Sequence, residues 1–308
     1  MPLHPYIASA LRAAGSLPGI DTLPVDQARA QVKARYPRPV TPHPVGHVRD
    51  IHVRGGAGQI PARVYTPPGS GPFPLLMFFH GSGFTVLDLD THDEICRRLC
   101  AGTQCVVVSV DYRLAPENPF PAAPDDCLAS TRWSAAHAAE LDADASRIAV
   151  AGDSAGGCLA AVTALRIRDE GGPPLCAQLL VYPVMDYPEP MTSTHATFAT
   201  GFGLTLNVLR WYWRNYVEDA ALRNHPYAAP LRAQSFAGLP PALVQSAEFD
   251  VLRDEGERYV DLLHEHGVEA YRTRCMGMNH GFLKYLGVLT EADAYLDEAI
   301  AFLRRRFE

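Results

Sequence analysis

Residues 149–157 constrain the fold of this chain more than any other segment. They read Ala-Val-Ala-Gly-Asp-Ser-Ala-Gly-Gly, so Ser154 stands in a Gly-x-Ser-x-Gly pattern directly after an apolar run. The pattern is typical of a sharp turn from a strand into a helix, which exposes a serine hydroxyl at the end of a sheet. Gly152 and Gly156 have no Cβ, which lets the strand and the helix pass closely. The alternative is a glycine-rich turn in which the serine only caps the helix.

A nucleophilic serine also needs a base and an acid that orients the base. On a strand-turn-helix of this type they follow the serine in the order Asp or Glu, then His. Asp250 comes after the apolar run 242–244, and His280 lies in a predicted loop after the strand-like residues 268–273. The separations leave room for intervening strands and helices. The acid and the base can therefore lie at the ends of neighbouring strands.

The segment 74–84 is a candidate for stabilising negative charge on a substrate oxygen. Residues 74–79 are apolar and predict a buried strand, and the sequence His-Gly-Ser-Gly-Phe follows at 80–84. A glycine-rich loop after such a strand exposes backbone N–H groups, which an oxyanion hole requires. The N–H of Ala155, at the start of the predicted helix, can face the same charge. The alternative is an ordinary turn at the end of a strand.

Over roughly residues 65–285 these motifs resemble the hormone-sensitive-lipase family of α/β-hydrolase esterases. The shared motifs are His-Gly-Ser-Gly-Phe at 80–84, where the family has His-Gly-Gly-Gly, Asp-Tyr-Arg-Leu-Ala-Pro-Glu at 111–117, Gly-Asp-Ser-Ala-Gly-Gly at 152–157, and the segment 250–256 with His-Gly-Phe at 280–282. The resemblance implies an α/β-hydrolase fold and a serine esterase activity.

The resemblance also implies roles for single residues. Ser154 is the implied nucleophile, His280 the general base and acid, and Asp250 the residue that orients His280. The implied oxyanion hole consists of the backbone N–H groups of three residues: Ser82, Gly83 and Ala155.

Two departures from the family pattern lie near these residues. Ser82 replaces the middle glycine of His-Gly-Gly-Gly, and Val251 stands where the family usually has proline after the acid. A serine restricts the backbone more than glycine does, but it keeps its N–H. We expect the oxyanion hole to survive, with altered rigidity or a narrower acyl pocket.

Two other carboxylates could orient His280 in place of Asp250. Asp254 and Glu255 follow closely in the sequence. They fall in the first turn of a predicted helix, where carboxylates interact favourably with the helix dipole. We therefore favour Asp250.

Three further charged residues of the motifs are expected to be structural. Asp153 precedes the serine, and a side chain at that position points away from the nucleophile. Arg113 and Glu117 have no reacting group with a base nearby, and we expect them to pair with each other.

The order of predicted elements favours an α/β-hydrolase fold with a mostly parallel central sheet flanked by helices and covered by a helical cap. Strand patterns alternate with helices at about 125–141 and from 155 onward, which is typical of a parallel sheet with both faces covered. The predicted strands are 48–53, 62–65, 75–79, 106–110 and 178–182.

Two regions break this alternation and predict the cap. Residues 1–45 contain helical patterns at 7–14 and 25–35, and the proline cluster 37–44 marks their boundary. Residues 46–308 form the predicted catalytic domain, and within it the segment at about 185–233 loses the strand-helix pattern. Its aromatic stretch 209–217 predicts a helix over the acyl pocket.

Composition excludes several classes of function. A net charge of −7 argues against a nucleic-acid partner. The seven cysteines are odd in number and scattered, so free buried thiols are favoured over a metal pair at Cys96 and Cys100. No apolar stretch is long enough to span a membrane. The sequence therefore predicts a cytoplasmic enzyme without stable membrane anchoring, cofactor or metal; a homodimer stays open.

The function predicted from these observations is a serine carboxylesterase that acts on small esters with short- to medium-chain acyl groups. One alternative is an amidase or deacetylase with the same triad, because that chemistry differs in the leaving group and not in the nucleophile. Another is a ligand-binding protein that has lost catalysis. The presence of Ser154, Asp250 and His280 argues against the second alternative.

Overall fold

A single mixed sheet forms the centre of the protein. The computed structural model describes residues 1–15, 17–36 and 41–308. Within these ranges eight strands are present: β1 (His47–Gly55), β2 (Gly58–Thr66), β3 (Phe73–Phe79), β4 (Val106–Val110), β5 (Ala143–Asp153), β6 (Leu175–Val181), β7 (Ala242–Phe249) and β8 (Ala270–Asn279). Their order is β1-β2-β4-β3-β5-β6-β7-β8. All neighbours from β4 to β8 pair in parallel, and β1 and β2 form an antiparallel edge.

Helices cover both faces of this sheet, as the alternating pattern predicts. The α-helices of the described ranges are α1 (Pro5–Ala14), α2 (Val25–Lys33), α3 (Asp93–Thr103), α4 (Ala122–Ala136), α5 (Ala155–Glu170), α6 (Ser193–Thr197), α7 (Leu206–Tyr216), α8 (Arg253–Glu265) and α9 (Thr290–Phe307). Leu75 and Met77 of β3 belong to the core on the side of α4, α5 and α8. Leu76 and Phe78 belong to the core on the side of α3 and α9. Because both faces are covered, β3 at the centre of the sheet is apolar at every position.

Two predicted elements differ in extent from the structure. The strand predicted at 268–273 is β8, and it continues to Asn279, where it still pairs with Phe249 of β7. Gly277 has a φ of 75° and the register shifts near it, so the alternating pattern that would mark the strand is interrupted. The helix predicted at 125–141 starts earlier, at Ala122, and its last residues form a separate 3₁₀ turn, Ala138–Leu141.

The two predicted N-terminal helices are present as α1 and α2. Part of the predicted boundary, residues 37–40, lies outside the described residues. All seven cysteines have free thiols, and every one except Cys176 is buried, as predicted. Over the described ranges, none of the helices has the length and apolarity needed to cross a bilayer.

Candidate active site

Ser154 is the single residue between β5 and α5. Its φ of 55° and ψ of −122° are unfavourable for a residue with a Cβ. Its N–H donates to the carbonyl of Val181 (2.8 Å), and its carbonyl accepts from the N–H groups of Cys158 and Val184 (both 3.1 Å). These hydrogen bonds hold the predicted sharp turn.

A continuous line of hydrogen bonds joins the three residues of the predicted triad. Ser154 Oγ lies 2.9 Å from His280 Nε2, and His280 Nδ1 lies 2.7 Å from Asp250 Oδ2. Since a carboxylate only accepts, Nδ1 carries the proton toward Asp250 and Nε2 can accept from the serine hydroxyl. Asp250 directly follows β7 and His280 directly follows β8. The structure thus brings the three side chains together, and the acid and the base lie at the ends of the neighbouring strands β7 and β8, as the spacing predicts.

The Asp250 carboxylate is fixed on its other side as well. Its Oδ1 accepts from the N–H of Leu252 at 3.0 Å, and the side chain is buried. Since this bond comes from residue 252, it does not depend on whether residue 251 is the valine found here or a proline.

The two alternative acids have other partners. Asp254 accepts from the Ser193 hydroxyl (2.5 Å) and the Thr194 N–H (3.1 Å). Glu255 is buried, accepts from the Asp186 N–H at 2.8 Å, and has a pKa raised well above its usual value by this burial. Neither carboxylate is hydrogen-bonded to His280, and both lie in the first turn of α8, as predicted.

The three predicted oxyanion-hole N–H groups are all available. Ser82 and Gly83 line the same cavity as Ser154, and Ala155 is the first residue of α5. Within the described part of the chain, the backbone N–H groups of these three residues donate to no protein acceptor. The N–H of Gly81, by contrast, donates to Asp153 Oδ1 at 2.7 Å.

The side chain of Ser82 stiffens this loop. Its Oγ accepts from the N–H of Phe84 (2.8 Å) and lies 2.5 Å from the Tyr112 hydroxyl, which donates to the His80 carbonyl (2.6 Å). The single proton of Tyr112 is used for His80, so the Ser82 hydroxyl must donate to Tyr112. Gly83 (φ 52°) and Phe84 (φ 61°) have positive φ in this loop, whereas Ser82 does not, so the serine occupies a position that does not require glycine.

Comparison with known proteins identifies the family. A family model described as the α/β-hydrolase fold matches residues 76–284. The chain belongs to the α/β-hydrolase family. Over 91% of its length it is 42% identical to esterase LipI of Mycobacterium tuberculosis, covering 88% of that protein. Over 95% of its length it is 33% identical to an ethyl acetate hydrolase of Pseudomonas putida, covering 96% of that protein.

Solved structures agree with this result. A thermostable esterase from Pseudomonas putida superposes with a TM-score of 0.96 at 37% identity, over 100% of this chain and 98% of the other. The predicted fold and the resemblance to the hormone-sensitive-lipase family are therefore confirmed.

Asp153 of this hydrolase has a structural position, as expected. Besides the Gly81 N–H it is 3.3 Å from both His92 Nε2 and the Tyr182 hydroxyl. Burial raises the pKa of its carboxyl, but the neighbouring His92 and the hydrogen bond from Gly81 outweigh burial and hold this pKa below its usual value. Asp153 thus anchors the loop at residues 80–84, which we name the oxyanion loop after its predicted role, to the end of β5.

The predicted pairing of Arg113 with Glu117 is wrong. Arg113 forms a bidentate pair with the buried Asp126, with both N–O distances at 2.8 Å. Glu117 instead pairs with Arg29 of α2 at 2.8 and 2.7 Å. A bidentate pair with a buried carboxylate fixes the planar guanidinium, so Arg113 is not free to reach Glu117.

Arg29 is a residue that the motifs do not reveal. Its guanidinium also donates to the carbonyls of Thr85 (2.9 Å) and Ala115 (3.1 Å). It therefore ties α2 of the hydrolase to the loop after the predicted oxyanion hole. These hydrogen-bond partners lie 56 to 88 residues away in the sequence, so no local pattern marks them.

A cavity of about 560 Å³ opens above Ser154 and His280. Its walls come from α1 and α2, from residues 15, 17–21, 35 and 36 that follow them, from residues 200–213, and from the oxyanion loop. Tyr212 of α7 packs directly on Gly83, where an added Cβ would lie 2.4 Å from the tyrosine ring. Both regions predicted as cap thus line the cavity that contains the predicted nucleophile.

Proposed function

We propose that this protein is a serine carboxylesterase that hydrolyses small esters of short- to medium-chain acids through an acyl-enzyme. The enzyme class, carboxylic ester hydrolase, is borne out by relatives that are named esterases over nearly the whole chain. The mechanism rests on one observation: the hydrogen-bonded line from Asp250 through His280 to Ser154 ends at a cavity beside free backbone N–H groups.

In the first half-reaction His280 Nε2 takes the proton of the Ser154 hydroxyl as the oxygen attacks the ester carbonyl. Asp250 holds the imidazole in the required tautomer and stabilises the imidazolium. The negative charge on the carbonyl oxygen is met by the N–H groups of Ser82, Gly83 and Ala155. The imidazolium then gives its proton to the leaving alcohol, and the acyl group stays on the serine.

In the second half-reaction water replaces the alcohol. His280 takes a proton from water as the hydroxide adds to the acyl carbon, and the same N–H groups stabilise the second tetrahedral intermediate. Collapse of this intermediate breaks the bond to Ser154 Oγ, which regains its proton from the imidazolium. The products are the free acid and the unchanged enzyme.

Residues 1–45 and about 185–233 form one cap in this proposal, over a catalytic domain at 46–308. The cap is supported by an apolar cluster that joins the two segments. Trp211 of α7 packs there with three residues of the N-terminal segment and one of the oxyanion loop region: Ile20, Ala28, Val32 and Val86. A cap of this kind excludes water and bounds the acyl chain.

The proposed function is tested with p-nitrophenyl esters of acids with two to sixteen carbons, beside a p-nitroanilide. We expect turnover to be highest for short and medium chains, because walls from α1, α2 and residues 200–213 bound the space open to the acyl chain. The anilide should react much more slowly than the matching ester. Absence of turnover with every ester would overturn the proposal, and faster cleavage of the anilide would make the protein an amidase.

Removal of residues 1–35 tests the cap. We expect a higher KM for acyl chains of about six carbons and lower solubility, because the deletion exposes the apolar cavity wall. A folded truncated protein should keep some turnover of the acetyl ester, since Ser154, Asp250 and His280 lie outside the deletion. The variant Trp211→Ala loosens the same cluster without shortening the chain. Unchanged KM values across the ester series in both soluble proteins would contradict the cap.

A further inference from the structure

Two cationic side chains line the cavity above the predicted nucleophile. Lys284 lies four residues after His280, in the 3₁₀ turn Phe282–Tyr285, and Arg35 follows the end of α2. Arg35 is exposed, so it stands at the opening of the cavity, whereas Lys284 is partly buried. The mechanism proposed above uses neither of them.

Neither cation has an acidic partner among the described residues. The Lys284 ammonium faces the rings of Tyr36 (5.8 Å) and Tyr285 (5.0 Å), but no protein group there accepts a hydrogen bond from it. The Arg35 guanidinium forms no ion pair with any described carboxylate. The other lysine of the sequence, Lys33, is paired with Asp88.

The acidic residues that line the cavity do not neutralise the two cations. Asp153 and Asp21 line the cavity. Asp153 is occupied by the Gly81 N–H and by His92. Asp21 forms no ion pair with either cation in the described ranges.

The positive charge of Arg35 also disfavours the protonated form of Lys284. Burial, and then the positive charge of Arg35, lower the pKa of Lys284 to about 8. The two tyrosine rings hold the ammonium through cation–π contacts, but they leave its three N–H donors unused. An anion between Lys284 and Arg35 would restore the charged form of the lysine and fill these donors.

We propose that the cavity selects esters that carry a free carboxylate, and that Lys284 and Arg35 bind this carboxylate while the ester carbonyl lies at Ser154. The inference rests on the proposed esterase function and names its substrate class. The carboxylate can belong to the acyl part, as in a half-ester of a dicarboxylic acid, or to the alcohol part, as in an acylated hydroxy acid. Charge-assisted hydrogen bonds to a carboxylate are stronger than neutral ones. Esters with a carboxylate should therefore bind more tightly than uncharged esters of the same shape.

The test compares kcat/KM for two matched pairs of substrates. In the acyl pair, the p-nitrophenyl half-ester of glutaric acid is compared with the same ester of glutaramic acid, in which an amide replaces the carboxylate. In the alcohol pair, the acetyl ester of 2-hydroxyhexanoate is compared with that of 2-hydroxyhexanamide. We expect the wild-type protein to prefer the charged member of at least one pair by about tenfold or more. The pair that shows the preference identifies which side of the ester carries the carboxylate.

Three variants assign the preference to the two cations. In Lys284→Met the charged-to-neutral ratio should fall to near one, and in Arg35→Gln it should fall by a smaller factor. Lys33→Met is the matched control, because it removes the other lysine outside the cavity, and there the ratio should be that of the wild type. The comparison of charged with neutral substrates in the wild-type protein tests the inference even if a variant fails to fold.

The outcomes separate this inference from the proposed function. Wild-type protein that hydrolyses both neutral esters but shows no preference for a charged one would overturn the inference and leave the esterase proposal intact. A preference that persists in the double variant Lys284→Met and Arg35→Gln would overturn it as well. Failure to hydrolyse any ester would overturn the proposed function, and the inference with it.

Discussion

Replacing Ser154 with alanine should lower kcat for p-nitrophenyl butyrate by roughly three to six orders of magnitude, with the fold unchanged. His280→Ala and Asp250→Asn should have losses in the same range, because the three residues act as one unit. For Asp250→Asn the reason is specific: an asparagine amide can present its NH₂ to Nδ1 and favour the tautomer with the proton on Nε2, which cannot accept from serine. Steady-state kinetics measure the loss, and circular dichroism checks the fold.

Asp254→Asn is the matched control for the acid. It makes the same chemical change four residues away, at a carboxylate hydrogen-bonded to Ser193 and Thr194 rather than to His280. We expect its kcat to stay within a few-fold of the wild type. If Asp250→Asn kept more than about a tenth of the activity while Asp254→Asn lost it, the orienting acid would be Asp254. A double variant of Ser154 and His280 should be little worse than either single one.

The parts of the site that local sequence patterns determine were predictable. The turn at Ser154 follows from small residues between an apolar strand and a helix, and the places of Asp250 and His280 follow from the fact that parallel strands end at one edge. The strand before His280 ends at residue 279, six residues later than the predicted 273. Gly277 breaks its alternation there, and pairing with β7 carries the strand on regardless.

Contacts between distant segments were not predictable in the same way. Glu117 pairs with Arg29, 88 residues earlier, and not with the nearby Arg113 that the sequence suggests. The arginine that pairs with Glu117 depends on Asp126, because Asp126 binds Arg113. Asp126 is buried beside Arg113 only when α4 is packed against the sheet. The contacts of Lys284 with Tyr36 likewise exist only when the N-terminal segment lies over the cavity. Such contacts depend on tertiary packing, and a local sequence motif does not predict them.

Ser82 shows how a departure from a motif can be compatible with the site. The middle glycine of His-Gly-Gly-Gly suggests a backbone that only glycine adopts, yet positive φ in this loop falls on Gly83 and Phe84 and not on Ser82. The serine hydroxyl accepts a hydrogen bond from the Phe84 N–H and is hydrogen-bonded to the Tyr112 hydroxyl. The sequence alone leaves open whether the loop becomes stiffer or the pocket narrower, and the hydrogen bonds support the first.

Gly156→Ala should destabilise the protein severely and abolish activity in whatever remains folded. A Cβ at residue 156 would lie 1.8 Å from the carbonyl oxygen of Phe79 and 2.8 Å from the carbonyl carbon of His80. Both are backbone atoms at the end of β3, so a change of side-chain rotamer cannot relieve the clash. Helix α5 would have to move away from the sheet, taking the N–H of Ala155 with it. Overpacking of this kind costs about 1–3 kcal/mol or more, and a backbone clash belongs at the upper end.

Gly256→Ala is the control that separates this clash from a general intolerance of alanine. Gly256 is also buried in the first turn of a helix that follows a strand, but its added Cβ would meet the ring of Pro183 at 3.4 Å and a methyl group of Val244 at 3.7 Å. Those are ordinary contacts, and alanine favours a helix over glycine by about 1 kcal/mol. We therefore expect the urea midpoint of Gly256→Ala to equal or exceed that of the wild type, while the midpoint of Gly156→Ala falls sharply. Equal midpoints and equal activity in the two variants would mean that α5 can shift without disturbing Ser154, and the close approach of α5 to β3 would then not be what positions the nucleophile.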